Sequence, residues 1–397
     1  FHAFFAIVLG SVGIERAIVQ SWKEILALVL AFSWLGYTLA KGRIPLKTDF
    51  TNISFLLIVV LSLTVTAVSN SGPAAVLYGV KTNLVAIALF FIAQIPFSNK
   101  SFLKKNIHWL IIVPGIIVSV LAILQAFFIP PGFLEKIGYN VSSIDPRQIV
   151  DGSLKMFRAF STLGGPNQLG AYLILPLVFA IIYSIKRKNY WIGIATIPIL
   201  AGIALSYSRS AWIGALVAIF TAMMLILNKR QKIIFLCISL VFAVAGSVFV
   251  YSQIGKNSRI ENVLLHGRFF ENRIEGSDQG RIASLLSSAD SVRREPLGHG
   301  LGSAGPASFQ APNPVITENW YLQIAYEIGI MGLLLYVCAF TGLLSEFFRG
   351  RSNPLGASLF AITLALIATN MFLHSWADST LALMTFSLYG LYKSRSV

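Results

Sequence analysis

The chain has 397 residues, of which 56% are hydrophobic and only 12% charged, and its mean hydropathy is +0.74. Soluble domains carry about 25% charged residues and disordered chains are polar, so this composition excludes both classes and leaves a polytopic membrane protein. A membrane helix uses about 20 residues, so the length allows roughly ten to twelve spans; the formal charge of +15 has meaning only once it is assigned to the two sides of the membrane.

Apolar runs of about 16 to 25 residues predict an all-α, polytopic transmembrane helical bundle of about twelve spans. The whole chain, 1–397, is taken as a single integral-membrane domain. The first run begins at Phe1 with no initiator Met and no charged n-region, so it is interpreted as a truncated span rather than a signal peptide. The predicted spans are 1–14, 23–40, 52–68, 82–97, 106–128, 167–185, 190–207, 210–228, 232–251, 319–346, 355–374 and 379–393.

A short cluster of Lys and Arg follows every even-numbered predicted span. Short basic loops stay in the cytoplasm, so both termini are expected in the cytoplasm and the protein is expected in the cytoplasmic (inner) membrane as a multi-pass protein. The clusters hold 16 of the 31 Lys and Arg residues: Lys41, Arg43, Lys47, Lys100, Lys104, Lys105, Lys186, Arg187, Lys188, Lys229, Arg230, Lys232, Arg349, Arg351, Lys393 and Arg395.

The same parity places two long polar segments on the outer side, 129–166 and 252–318. The second carries seven basic and seven acidic side chains, so only the flanking spans determine its side. Long loops usually carry function, and the active surface is therefore expected to face outward. Cys237 and Cys338 lie inside apolar runs and support neither a disulfide framework nor a metal site. We expect no metal, no cofactor and no nucleic-acid partner.

Two arginines near the outer ends of predicted spans are candidate anion ligands. Arg209 lies in the short turn between spans seven and eight, so it must be at the outer interface; it either anchors that interface beside Trp212 or pairs with phosphate oxygens. Arg158 lies just before the Gly-Gly-Pro-Asn start of span six, where free N–H groups favour anions. The alternative there is an ordinary helix start with a surface Arg.

The stretch 281–295 is predicted to form one amphipathic helix on the membrane surface. Its apolar residues recur at helical spacing, and Arg281 begins it. The glycine-rich turn 296–302 that follows has no preceding strand, so it does not indicate a nucleotide-binding loop, and His299 is interpreted as a loop residue.

Glu318 begins span ten at the outer interface. It is either an N-terminal carboxylate favoured by the helix dipole or a general base toward an incoming hydroxyl. Glu327 lies about 13 Å deeper, so it needs a polar partner on a neighbouring span. His374 and Asp378 lie in the short outer turn before the last span, where a solvated turn is expected; the alternative is that they contribute polarity near the site. Further polar side chains that could line a pocket are Asn167, Asn319, Tyr321, Gln323 and Tyr326.

Three stretches carry a resemblance to a known family: 158–172 with its Gly-Pro-Asn helix start, 205–211 with its Ser-Arg-Ser turn, and 280–332 with its Glu-Asn-Trp-Tyr-Leu run. Together they resemble the O-antigen ligase and O-antigen polymerase superfamily, whose members have about twelve spans and a large external loop. The ligase-like region is taken as 158–332.

The resemblance implies a metal-independent glycosyltransferase of the type-C class. Such enzymes move a glycan from a polyprenyl-diphosphate-linked donor to the hydroxyl of a glycan or lipid-glycan acceptor. They act at the outer face of the membrane, where membrane lipids are further partners. By this likeness Arg209 and Arg281 would hold the diphosphate, Arg158 would assist and Glu318 would be the base. Ligases of the family typically have His before the Asn of this motif, and this chain departs from that pattern with Glu318, so the resemblance does not extend to assignment as a lipopolysaccharide ligase.

Two other classes remain open from the sequence. A lipid-linked glycan flippase or other polysaccharide transporter would show internal repeats and interrupted helices, and no clear repeat is visible. A scaffold protein would tolerate neutralisation of both Arg209 and Arg281. The sequence leaves the acceptor open, so ligase, polymerase and protein O-glycosyltransferase are alternatives within the enzyme class.

Overall fold

The computed structural model describes residues 2–11, 22–42, 47–69, 71–95, 100–140, 143–150, 153–253, 277–311 and 313–395. Most of these residues are helical, and the predicted all-α polytopic class is confirmed. Part of the predicted outer segment 252–318 lies outside the described residues.

The helices and strands run in chain order as follows: α1 His2–Ser11, α2 Trp22–Lys41, α3 Phe50–Val68, α4 Pro73–Ile92, α5 Lys100–Phe127, α6 Pro131–Lys136, β1 Ile149–Val150, β2 Ser153–Phe157, α7 Pro166–Lys186, α8 Tyr190–Ile194, α9 Thr196–Leu205, α10 Arg209–Ile226, α11 Lys229–Gln253, α12 Ser277–Arg294, α13 Trp320–Arg349, α14 Pro354–Thr369 and α15 Ser379–Arg395. Short 3₁₀ turns occupy Gly305–Gln310 and Ser375–Ala377. The strands β1 and β2 form a small antiparallel hairpin.

Seven of the described helices are long and apolar enough to cross a membrane, judged by length and composition: α3, α4, the part of α5 from Lys105, α7, α10, α11 and α13. Three shorter apolar stretches accompany them at Ile25–Ala40, Tyr190–Leu205 and Pro354–Thr369. The protein is therefore a multi-pass membrane protein, whereas the count of twelve crossings stays a prediction.

Several predicted boundaries are wrong, including the following three. The predicted span 190–207 consists of two helices, α8 and α9, which meet at Ala195. The predicted span 82–97 begins nine residues earlier, at Pro73, because Lys81 does not interrupt the helix and its ammonium group lies over the Tyr78 ring. The predicted span 355–374 ends at Thr369.

The chain forms two compact units, each described by itself. The first comprises Phe1–Val12 with His108–Ile282, and the second comprises Gly13–Ile107 with Ala283–Val397. In the first unit α7 is the central helix, and its membrane window is 89% buried. Small residues allow its neighbours to approach closely, which is the usual device where lipid provides no hydrophobic force between helices: a Cβ on Gly170 would lie 2.5 Å from the Ala211 Cβ.

The second unit is centred on aromatic side chains from α3, α4, α13 and α15. Phe55 packs against Phe90 at 4.7 Å and against Phe386 at 5.7 Å between ring centroids. Trp320, at the start of α13, is 2% exposed and contacts Trp376 edge to face at 4.8 Å. This cluster fixes the beginning of α13 against the turn that precedes α15.

A cluster of three charged side chains, of which Lys393 is buried, joins the start of α3 to the C-terminal ends of α13 and α15. Lys393 is 4% exposed, and its Nζ lies 2.9 Å from the Asp49 carboxylate and 2.7 Å from the Glu346 carboxylate. Thr51 Oγ1 also donates to Glu346 at 2.8 Å. One cation thus offsets two carboxylates that retain partial access to solvent.

We expect Lys393→Met to destabilise the protein by about 1–2 kcal/mol, because it leaves the two carboxylates facing each other without a counter-charge. The measurement is the melting temperature of the purified protein in detergent. Lys229→Met is the matched control, since that side chain is exposed at the start of α11. Equal melting temperatures for the two variants would contradict the prediction.

Candidate functional site

The turn that presents Arg209 is tightly folded in the first unit. Ser206 and Ser208 are buried, and Tyr207 between them has a left-handed backbone with φ +48°. Arg209 is the first residue of α10 and is half-buried. The Trp212 indole Nε1–H donates to the Ile203 carbonyl at 3.0 Å. This hydrogen bond ties the first turn of α10 to α9.

Arg158 joins the same turn to the start of α7. Its Nε donates to the Ser206 carbonyl at 3.1 Å, and its Nη2 donates to Asn167 Oδ1 at 2.8 Å. The backbone N–H of Ala159 also donates to the Leu205 carbonyl at 2.9 Å. The structure therefore brings Arg158, Asn167 and the Arg209 turn together. Two of the Arg158 side-chain nitrogens are hydrogen-bonded within the protein, and through these bonds Arg158 holds the turn that carries Arg209.

Gln125 is a residue of this region that sequence reasoning missed. Its Oε1 accepts hydrogen bonds from the backbone N–H groups of Phe160, at 3.0 Å, and Ser161, at 2.7 Å. Ser161 also has a left-handed backbone, with φ +54°. The only sequence signal was a lone amide near the end of an apolar run. Gln125 thereby fixes the chain that leads from Arg158 into α7.

A crevice of about 470 Å³ lies beside Arg158 in the first unit. Its walls are mainly apolar, with Arg158 and Gln125 as polar members. The lining residues are Gln125, Ala126, Phe127, Phe128, Ile129, Pro130, Pro131, Leu134, Pro146, Phe157, Arg158 and Ala159. A site of this kind suits a ligand that has an apolar chain and an anionic end.

The helix that carries Arg281 differs from its prediction in two ways. It spans Ser277–Arg294, so Arg281 lies in its second turn rather than at its start. The apolar residues of this helix also differ in burial: Val292 is buried at 9% exposure, whereas Ile282 and Leu286 are 56% and 67% exposed. An exposed apolar face of this kind is compatible with a place along a membrane surface.

Glu318 lies in the second unit at the apex of a closed turn. Its backbone is left-handed, with φ +52°, and its side chain is half-buried. On one side, Thr317 is fully buried and its hydroxyl donates to the Asn319 carbonyl at 3.0 Å. On the other side, Asn319 caps α13 by accepting from the Leu322 N–H. The turn presents Glu318 immediately before a membrane helix.

His374 is not in a solvated turn, and that expectation was wrong. Its Nε2 lies 2.8 Å from the Thr317 hydroxyl, because the turn after α14 folds back onto the start of α13. Burial lowers the pKa of His374 to about 4. Burial raises the pKa of Asp378, which accepts from the Leu381 N–H at the start of α15.

We expect the contribution of His374 to make the protein less stable as the pH falls. Its pKa is about 4 in the folded protein and 6.5 otherwise, so the unfolded chain takes up the proton first and the folded state loses stability between these two values. The melting temperature of wild type, compared with His374→Gln from pH 7.5 to 4.5, measures this. A difference between the two proteins that stays constant with pH would contradict it.

Glu327 is fully buried and, as expected, pairs with a polar group on a neighbouring helix. Asn83 of α4 donates to its Oε2 at 3.0 Å, and the Gly302 N–H donates to its Oε1 at 3.0 Å. Donors from two separate segments therefore satisfy this carboxylate inside the membrane region, where an unpaired one would be costly.

The predicted continuous span 319–346 is interrupted next to Glu327. Ile328 and Gly329 leave the helical conformation, with φ +76° at Gly329. The exposed backbone groups pair with the glycine-rich turn 296–302: the Gly300 N–H donates to the Glu327 carbonyl at 2.8 Å, and the Ile330 N–H donates to the Pro296 carbonyl at 2.9 Å. Backbone that leaves helical form at membrane depth is tolerated only when it is satisfied in this way.

The residues expected to line a pocket mostly serve the second unit's packing. The Tyr321 hydroxyl donates to the Ile367 carbonyl at 2.8 Å, and Tyr326 stacks on His299 with ring centroids 4.1 Å apart. Gln323 is fully buried, and a Cβ on Gly305 would lie 2.4 Å from its side chain. Among the described residues no group of three or more His, Cys, Asp or Glu could hold a metal ion.

Comparison with known proteins gives a family match for the region that contains the Arg209 and Glu318 turns. Residues 194–337 match the O-antigen ligase family. A protein of Salmonella muenchen named "O-antigen polymerase" is 26% identical over 216 residues, which cover 52% of this chain and 51% of that relative. The resemblance to the O-antigen ligase and polymerase superfamily is confirmed. The chain spans about half the length of the curated relative it matches.

The O-antigen ligase match includes Arg209, Arg281 and Glu318, whereas Arg158 precedes it and His374 follows it. Arg158 and the Arg209 turn lie in the first unit, and Glu318 lies in the second. That Arg209, Arg281 and Glu318 act together on one substrate, as the resemblance implies, stays a prediction.

Proposed function

We propose that this protein is a membrane glycosyltransferase that acts on the outer face of the cytoplasmic membrane. It transfers or polymerises glycan units from a polyprenyl-diphosphate-linked donor onto the hydroxyl of a glycan or lipid-glycan acceptor. The observation that carries the proposal is the Arg209 turn inside the O-antigen ligase match. Arg209 is half-buried at the first position of a membrane helix and follows a turn that Arg158 holds, and a guanidinium group so placed suits a phosphorylated lipid at the membrane interface.

In the proposed reaction the acceptor hydroxyl oxygen attacks C1 of the donor sugar. The bond from C1 to the diphosphate oxygen breaks, and polyprenyl diphosphate leaves as an anion. Glu318 accepts the proton of the acceptor hydroxyl, and Arg209 and Arg281 stabilise the charge that develops on the diphosphate. Guanidinium groups take the place that a metal ion holds in other glycosyltransferases, so the reaction needs none.

Two features of the structure support these roles. The Arg209 turn and the Glu318 turn both contain a non-glycine residue with a left-handed backbone, Tyr207 and Glu318. Such residues cost about 1–3 kcal/mol and concentrate at functional sites. The crevice beside Arg158 also combines apolar walls with a cationic end, which fits the polyprenyl chain and diphosphate of the donor.

The orientation of the chain belongs to the same proposal. We place both termini in the cytoplasm and the turns of Arg209 and Glu318 outside, on the strength of the basic clusters after even-numbered spans. Cysteines introduced at Lys229 and at Ser303 and labelled with an impermeant reagent test this. Labelling of intact cells at 303 alone is expected, and labelling at 229 alone would overturn it.

The function itself is tested by incubating the purified protein with a polyprenyl-diphosphate-linked glycan repeat. We expect longer lipid-linked or acceptor-linked glycans to appear, in the presence of a metal chelator as well as without it. An unchanged donor pool in every condition would overturn the proposal.

One observation favours the rival reading as a lipid-linked glycan transporter. The interrupted helix α13 and the buried Glu327 resemble the broken helices of transporters. However, the backbone groups that lose their helical partners at the interruption form hydrogen bonds with the turn 296–302. This favours a fixed scaffold over an ion or substrate pathway. Vesicles that contain the purified protein separate the two: a transporter would move labelled donor across the bilayer without lengthening it.

A further inference from the structure

The backbone of Glu318 is held in an uncommon conformation from both sides. With φ +52°, a residue that carries a side chain is less stable by about 1–3 kcal/mol than in an ordinary conformation and persists only where its surroundings enforce it. The Thr317 hydroxyl closes the turn by donating to the Asn319 carbonyl, two residues on. Glu318 is therefore the apex of a loop whose two ends are tied to each other.

The loop is tied in turn to the segment between α14 and α15. Asn319 Nδ2 donates to the Met371 carbonyl at 2.9 Å, and the Trp320 N–H donates to the Asn370 carbonyl at 3.1 Å. These bonds fix the side of the loop after Glu318. On the side before Glu318, the side chain that reaches Thr317 from this segment is His374, at 2.8 Å.

The direction of that hydrogen bond follows from the partners. The Thr317 hydroxyl proton is directed to the Asn319 carbonyl, so the hydroxyl oxygen accepts from His374 Nε2–H. This arrangement uses the His374 tautomer that carries its proton on Nε2. The neutral imidazole orients the hydroxyl, and the hydroxyl closes the turn over Glu318.

We propose that His374 is a positioning residue for Glu318: it orients the Thr317 hydroxyl, which holds the turn that presents the Glu318 carboxylate. The inference rests on the proposed role of Glu318 as the base. His374 lies beyond the O-antigen ligase match, which ends at 337, and it touches neither donor nor acceptor in this proposal. A misplaced base affects the chemical step more than substrate binding.

The test is a steady-state comparison of four variants with the polyprenyl-diphosphate-linked glycan repeat as substrate. His374→Ala is expected to lower kcat about tenfold with little change in the KM for the donor. His374→Gln is expected to restore most of kcat, because its amide nitrogen reaches the position of Nε2, whereas His374→Asn is too short to do so. Thr317→Val should match His374→Ala, and the double variant should be no worse than either.

Other results of this comparison would overturn the positioning role of His374 or the base role of Glu318. Equal activity of His374→Gln and His374→Asn would overturn the inference, as would additive losses from Thr317→Val and His374→Ala. If His374→Ala does not fold, the comparison of the two amides still decides, since both place a polar group in the same space. The two proposals fail in different ways: no glycan extension by wild type would overturn the proposed function, and wild-type activity in Glu318→Ala would remove the base role on which the inference rests. Loss of activity in Glu318→Ala with full activity in His374→Ala and His374→Asn would overturn only the positioning role.

Discussion

Replacing Arg209 by Ala is expected to lower the rate of glycan extension by at least about 100-fold, the usual cost of removing one group that stabilises a developing anion. Arg209 begins α10 and is half-buried at the end of a membrane helix. In the proposed reaction it faces the diphosphate as the C1–oxygen bond breaks, so kcat falls more than donor binding weakens. The measurement is the initial rate of chain extension by purified protein.

Two further variants make the Arg209 test specific. Arg209→Lys keeps the charge but loses the planar fork that binds two phosphate oxygens, so we expect an intermediate rate. Arg349→Ala removes an exposed Arg at the far end of α13 and should leave the rate unchanged. If Arg209→Ala and Arg349→Ala extend glycans equally well, Arg209 has no role in the reaction.

Arg158→Ala is expected to act through the same turn. It removes the hydrogen bonds to Ser206 and Asn167, so it should lower both the rate and the melting temperature. Arg209→Ala removes the guanidinium group proposed to face the diphosphate, so its main effect is expected on the rate. This difference separates the group that binds diphosphate from the group that holds it in place.

The positions of the helices could be predicted from the sequence because the bilayer fixes the length of an apolar run. The predicted spans 167–185 and 210–228 agree within two residues with Pro166–Lys186 and Arg209–Ile226. In both cases a local feature marks the start: Pro166 at the first helical position, and the polar turn before Arg209. No partner from elsewhere in the chain is needed to define these helices.

The interruption of α13 could not be predicted, because it depends on a segment distant in sequence. Around Gly329 the chain is apolar and reads as uninterrupted helix. The hydrogen-bond partners of the interrupted backbone, both donors and an acceptor, come from 296–300, and the glycines of that segment were interpreted as an ordinary flexible turn. Gly302 shows why they are required: with φ +82°, its Cβ would lie 1.9 Å from the Ala75 carbonyl oxygen.

The same limit applies to the candidate site. Arg158 and Glu318 were recognised from residue type and position, but their settings depend on partners far along the chain. Arg158 donates to a carbonyl 48 residues away. His374, expected in water because its turn is short and polar, reaches Thr317 across 57 residues. A single sequence identifies such groups as polar without showing what they contact.

Glu318 is expected to raise the rate of glycan extension and, through its strained backbone, to lower the stability of the protein. Glu318→Gln removes the proton acceptor with almost no change of shape, so we expect glycan extension to fall by about 100- to 10,000-fold, the range for loss of a general base. Glu135→Gln is the matched control, because Glu135 is a partly exposed acid in the predicted outer segment that pairs with Arg147. Equal rates for these two variants would remove Glu318 from the reaction.

Glu318→Gly tests why the chain keeps a strained residue at this position. Glycine adopts a left-handed backbone at no steric cost, although it loses more freedom on folding, so relief of strain should leave the variant about 1 kcal/mol more stable than wild type. It should be as inactive as Glu318→Gln. Melting temperature and extension rate, measured on the same preparation, check both parts. A destabilised Glu318→Gly would mean that the carboxylate stabilises the start of α13 by more than its backbone strain costs, which is the role of a helix N-terminal acid rather than of a base.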